Sequence, residues 1–163
     1  MTSPSPLQNW NHNALYCGGF ASQFNSVNRG RCGLCGDDFS GSQDHMAGGK
    51  FATGTVARSY TAGQMIDIEI DLVANHLGFF TFSLCPHNSV LTRPSRECFL
   101  SHPLAVQGPG RGELSTYLAT KGTGVKEMRV QLPANLTCSQ CILQVRKQSL
   151  SIHKHGQIGR STD

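Results

Sequence analysis

The chain has 163 residues, a formal net charge of +4 and a sequence pI near 8.8, and 38% of its residues are hydrophobic. That length suits a single domain with a real core. No stretch approaches the run of about 18 apolar residues that a membrane span needs, and no basic stripe interleaved with aromatics marks a nucleic-acid surface, so neither a membrane nor a nucleic-acid partner is expected.

In chain order, residues 1–13 are polar and turn-like. Residues 14–50 carry three cysteines and eight glycines with no clean period; they are predicted as irregular loops held by cross-links, with one brief helical turn around 20–27. The character changes at Lys50. TVARSY at 55–60 reads as a strand, and Thr61–Gln64 as a turn. MIDIEIDLVA at 65–74 is the strongest strand signal: Ile66, Ile68, Ile70 and Leu72 alternate with Asp67, Glu69 and Asp71. FFTFSLC at 79–85 puts Phe80, Phe82 and Leu84 on one face. The segment 86–124 is predicted as a loop joining the two halves. Its GPGRG at 108–112 is a flexible turn, since it lacks the Lys-Ser/Thr and the following helix of a phosphate-binding loop. KEMRVQLP at 126–133 alternates Met128, Val130 and Leu132, and CILQVRK at 141–147 starts a last strand. Short antiparallel strands with one wet face predict an all-β sandwich, with Ile66, Ile68, Ile70, Phe80, Phe82, Val130 and Leu132 facing its core. From Gln148 to Asp163 the chain is polar, without cysteine or sustained pattern, and is predicted to be poorly ordered.

Seven cysteines, Cys17, Cys32, Cys35, Cys85, Cys98, Cys138 and Cys141, are many for this length and point to a disulfide-bonded body. The count is odd, so one partner is missing or one thiol is free. Cys85 and Cys98 bracket a 12-residue loop that one disulfide can close. The connectivity of the other five is open. Two Cys-x-x-Cys pairs, 32–35 and 138–141, could in principle hold zinc, but 102 residues separate them, against about 15–20 in zinc ribbons. Structural disulfides are the preferred reading. Asp37, Asp38 and Asp44 lie in a glycine-rich loop and read as turn residues. Asn135-Leu136-Thr137 is a glycosylation sequon, meaningful in a chain that enters the secretory path. Among the histidines, His76 stands out because it closes the strongest strand, and the end of a rigid strand is a good mount for a ligand.

The blocks LYCGGFASQFN, GRCGLCGDDFS, HMAGGKFATGTVARSYTAGQ, IDIEIDLVANHLGFFTFSLCP, ECF and QLPANLTCSQCILQ occur in the order seen in chitin-binding type-4 domains. The chain resembles, more narrowly, the insect-type lytic polysaccharide monooxygenases, the fifteenth auxiliary-activity family, over roughly 13–144. That resemblance implies a secreted, immunoglobulin-like or fibronectin-like antiparallel β-sandwich with long disulfide-rich loops and a flat face for chitin or cellulose. It implies a copper ion held by the amino group and imidazole of an N-terminal histidine and by a second histidine in the Ala-Asn-His block. Here that block is Ala74-Asn75-His76, which makes His76 the second copper ligand. His45 lies in another matched block and is the candidate supporting residue behind the metal. In the family the reduced copper activates oxygen or peroxide for attack on a C–H bond beside the glycosidic link. Imidazole and amine suit copper and leave positions open for that chemistry.

Both ends depart from the family pattern. The chain starts at Met1, without a signal peptide, where the mature family chain starts with histidine. After CSQCILQ it turns to VRKQSLSIHKHGQIGRSTD, where the family continues to an axial tyrosine and three further cysteines. The expected organisation is therefore an altered segment at 1–12, an incomplete monooxygenase-like domain at 13–147 and a divergent tail at 148–163. The expected protein is an extracellular monomer that does not hold copper tightly and has no complete catalytic set. A non-catalytic polysaccharide-binding module and a non-functional truncated isoform stand as alternatives.

Overall fold

The computed structural model describes residues 8–10, 15–107, 116–118 and 122–149. The sequence readings for residues 1–7 and 11–14, for GPGRG at 108–112 and for the chain after Ser149 lie outside the described residues. Chain contacts divide the rest into two units, one running to Ser59 and including His87–Arg96, the other comprising Tyr60–Pro86 and the described residues from Glu97 onward.

Among the described residues the second unit carries all the strands. β1 (Met65–Leu72), β2 (Phe79–Pro86), β3 (Ala105–Gln107), β4 (Thr116–Leu118), β5 (Gly124–Gln131) and β6 (Cys141–Gln148) form two antiparallel three-stranded sheets, ordered β1-β5-β3 and β4-β2-β6. β1 pairs with β5 from Met65↔Gln131 to Leu72↔Gly124, and β2 pairs with β6 from Phe79↔Gln148 to Pro86↔Cys141. Period-two alternation fixes which face each side chain takes. The inner faces meet in one core. Ile66, Leu72, Val106, Met128 and Val130 come from the first sheet, and Phe80, Phe82, Leu84 and Tyr117 from the second. Ile68 and Ile70 are half-buried against this cluster, and Leu132 lies within it. All seven residues expected at the core are there, and the fold is the antiparallel β-sandwich that their spacing implies.

The segment 86–124 holds more than a loop. A short helix, α2 (Arg96–Leu100), and the strands β3 and β4 interrupt it. Leu104 accounts for part of this: it is 1% exposed, and its N–H donates to the Phe82 carbonyl at 2.9 Å, tying the chain ahead of β3 to β2. Three-residue strands are too short to show alternation in a sequence. Residues 55–60 correct the reading in the other direction. They form no strand, and Val56, Arg58 and Tyr60 are exposed. β-branched and aromatic residues favour a strand only where a pairing partner and a surface to cover exist.

The described residues of the first unit have almost no regular structure. A four-residue helix, α1 (Phe20–Gln23), follows Gly19, which sits at φ 94°. Elsewhere, loop backbone groups bond to each other and to side chains, as buried polar groups must. Cys17 N–H donates to the Gly36 carbonyl at 2.9 Å, and Gly33 N–H to the Asp37 carbonyl at 2.9 Å. Asp38 is the hub. Its carboxylate accepts from the Ser22 hydroxyl, from Asn28 Nδ2 at 2.8 Å and from the Ser40 N–H at 2.9 Å, and these bonds hold it well below the usual carboxylate range. Asn28, fully buried, also donates to the Ser22 carbonyl at 2.9 Å.

Three disulfides join Cys17 to Cys32, Cys85 to Cys98 and Cys138 to Cys141, with Cα–Cα distances of 4.9, 5.3 and 5.8 Å. The Cys85–Cys98 pairing agrees with its sequence expectation. Cys35, a disulfide candidate on sequence, is free, because Cys32 turns to Cys17. The zinc alternative falls with it, since three of its four thiolates are tied up in disulfides. Among the described residues no helix is long and apolar enough to cross a membrane.

Candidate metal centre

β1 runs out at Leu72, which is buried, and the chain leaves the sheet through exposed Val73 and Ala74. The next five residues are held mostly by side chains. Asn75 uses both ends of its amide: Nδ2 donates to the Gly122 carbonyl at 2.7 Å, and Oδ1 accepts from the Leu77 N–H at 2.8 Å. The second bond is an Asx-turn, in which a side-chain carbonyl stands in for backbone. It suits the left-handed conformation of Leu77, at φ 58°. Gly78 follows at φ 99°, buried, and a Cβ there would collide with the Gln148 carbonyl at the end of β6. Lys147 on β6 reaches the Ala74 carbonyl with Nζ at 3.4 Å. Partial burial lowers the Lys147 pKa.

His76 sits at the centre of this turn, exposed. The backbone on either side of it is pinned to Gly122, Lys147 and the end of β6, while its own ring faces solvent. Such a mount gives a metal ligand a fixed root and an accessible head. The sequence singles out His76 but not the residues that fix the turn around it. Asn75 and Gly78 leave a weak local signal, an Asn followed two residues on by a left-handed position and then a glycine. Lys147 leaves none, because it arrives from a strand 73 residues away.

His45 belongs to the first unit. Its Nδ1 lies 2.7 Å from Asp37 Oδ1, and its Nε2 lies 3.0 Å from Asn9 Nδ2. Asn9 Nδ2 can only donate, to Nε2, which leaves Nδ1–H to donate to the Asp37 carboxylate; Asp37 is 8% exposed. The ring stacks on Phe51 at a centroid distance of 4.7 Å. These groups line an open groove of about 420 Å³ with Asp38, Asp44 and Lys50. Both nitrogens of His45 are engaged, so the ring is built into the loop structure. His45 as a supporting residue of the metal site thus remains a proposal.

Among the described residues no group of three or more His, Cys, Asp or Glu side chains is arranged to hold a metal ion. One exposed imidazole is a monodentate ligand, open to water. The described residues therefore do not fit a tightly held copper by themselves.

The chain is similar to a lytic polysaccharide monooxygenase of the AA15 group from Thermobia domestica, solved in the Cu(I) state. The identity is 29% over 94% of this chain and 77% of that one, with a TM-score of 0.82. No curated protein matches it. A family model described as lytic polysaccharide mono-oxygenase, cellulose-degrading, matches residues 3–153. A disulfide-bonded antiparallel sandwich, a histidine at the end of its strongest strand and a family match across most of the chain agree, and the chain belongs to the lytic polysaccharide monooxygenase family, whose members carry the chitin-binding type-4 domain and use copper.

Proposed function

We propose that this chain binds the surface of an insoluble polysaccharide, chitin or cellulose, outside the cell, as a monomer, and that His76 is its copper-ligating imidazole. The observation that carries this reading is the built turn around His76. Asn75, Gly78 and Lys147 fix the backbone, and His76 is exposed at its centre. Copper is held weakly by this chain, because a single exposed imidazole competes poorly with water for a metal that prefers several nitrogen ligands. The extracellular placement is supported by family membership and by three disulfides, which persist in oxidising surroundings. Exposed aromatics in the first unit support the polysaccharide surface. Phe20 is 77% exposed and packs on Phe24 at 4.8 Å, and Tyr16 is also exposed. Flat rings left in water suit the apolar C–H faces of pyranose units.

The test is titration of the purified chain with Cu(II), followed by calorimetry and electron paramagnetic resonance, with His76→Ala as control. Weak uptake with an imidazole signature in the parent, lost in His76→Ala, is expected. Tight one-to-one binding, together with oxidised oligosaccharides released from chitin in the presence of a reductant, overturns the weak-site reading. Identical titrations of parent and His76→Ala overturn the assignment of His76.

A further inference from the structure

The sequon Asn135-Leu136-Thr137 lies in the connection between β5 and β6. Asn135 and Thr137 are exposed, while Leu136 between them is half-buried and packs against the core. The middle residue anchors the tripeptide, and the two residues that a glycosyl transferase must reach are presented outward. Ala134, one residue earlier, packs over Gly63, whose N–H donates to the Pro133 carbonyl at 3.1 Å, so the turn is held from its root. Three residues after Asn135 the Cys138–Cys141 disulfide closes the entry to β6.

Register places this turn relative to His76. β1 and β5 are antiparallel, with Leu72 opposite Gly124 and Met65 opposite Gln131. His76 follows Leu72, and Asn135 follows Gln131, so the two leave the sheet at opposite ends, about 24 Å apart along the strands at ~3.4 Å per residue. The other sheet agrees. Gly78 abuts Gln148, which pairs with Phe79, whereas Cys141, at the Asn135 end, pairs with Pro86.

We infer that Asn135 carries an N-linked glycan, at the pole of the sandwich opposite His76. The amide nitrogen of Asn135 bonds to the anomeric carbon of a lipid-linked diphospho-oligosaccharide. The bond from that carbon to the diphosphate oxygen breaks, the lipid diphosphate leaves with the electron pair, and one amide proton is lost to the transferase. The placement leaves the His76 pole free for a polysaccharide surface. A glycan at Val73 or Gly122, beside the His76 turn, would stand in the way.

The inference rests on the extracellular placement proposed above, so the experiment supplies the export route. The full chain, behind an added secretion leader, is expressed in a eukaryotic host and collected from the medium. The expected product has a mass increase that peptide N-glycosidase removes, converting Asn135 to Asp in the corresponding peptide. Thr137→Ser keeps the modification, and Thr137→Ala and Asn135→Gln lose it. Adsorption of the glycosylated and enzymatically deglycosylated parent to chitin is expected to agree within twofold. Parent protein secreted with its disulfides formed and Asn135 unmodified overturns the assignment and leaves the extracellular reading untouched. A several-fold gain in adsorption on deglycosylation overturns the placement of the glycan away from the binding surface.

Discussion

At Gly78 two constraints coincide: a φ of 99° and a backbone carbonyl, that of Gln148, where a Cβ would go. Backbone against backbone cannot yield as a flexible side chain can. Gly78→Ala is therefore expected to destabilise the protein by more than about 1 kcal/mol in urea unfolding, and to loosen the His76 turn. Asn75→Ala removes two hydrogen bonds from that turn and is expected to cost about 1–2 kcal/mol. An effect of Gly78→Ala no larger than that of alanine at exposed Val73 would contradict the close approach. Cys35 follows different physics. Burial, and then the Asp37 carboxylate, push its thiol up to about 11 from an ordinary value of 9.0, and its sulfur lies 3.6 Å from Met46 Sδ. The thiolate is the nucleophile, so Cys35 is expected to resist iodoacetamide at pH 8 in the folded chain and to react once the chain unfolds. Because the folded state keeps the proton longer than the unfolded state, stability is unaffected below pH 9. It falls as pH rises from 9 toward 11, and Cys35→Ser should flatten that fall in a melting series.

Among the elements, β1 shows how charge is placed on the outer face. Its acids alternate with core isoleucines, and Asp67 faces Arg129 across the strand pair, a favourable match. Glu69 instead faces Glu127, with both side chains exposed. Directly opposed like charges destabilise a sheet. Glu127→Lys is expected to stabilise the protein by about 0.2–1 kcal/mol at low salt, with the gain shrinking as salt is added; a loss of stability would contradict the register. The legibility of these elements in the sequence follows their length and their partners. β1, β2, β5 and β6 are eight residues each, long enough for a strand to be read, and in β1, β2 and β5 core residues were readable one by one. β3 and β4 are three residues each and carry no readable period. TVARSY had the composition of a strand and no partner. The disulfide closing 86–97 was readable from loop length, whereas the choice of Cys17 over Cys35 by Cys32 was not, since it depends on how irregular loops fold. Of the candidate site, the sequence names one residue, His76, through family resemblance. Its supports come from Gly122 and Lys147, distant in sequence.

Across the whole molecule, two kinds of construction coexist. The second unit is a sandwich whose stability comes from one apolar core. The first is a loop assembly held by the Cys17–Cys32 disulfide, the Asp38 hub and the His45–Asp37 pair. That loop assembly carries the exposed rings of Tyr16, Phe20 and Phe24, and the sandwich carries His76. Under the proposed function the two units contribute separately: the exposed rings of the first contact the polymer, and the strand-end turn of the second presents the His76 imidazole. The most direct measurement is the adsorption isotherm of the purified chain on chitin and on cellulose, for the parent, Phe20→Ala and His76→Ala. Saturable binding to at least one polymer, weakened about 3–10-fold in Phe20→Ala (~0.7–1.4 kcal/mol) and little changed in His76→Ala without copper, is the predicted result. A folded parent that adsorbs to neither polymer would contradict the account.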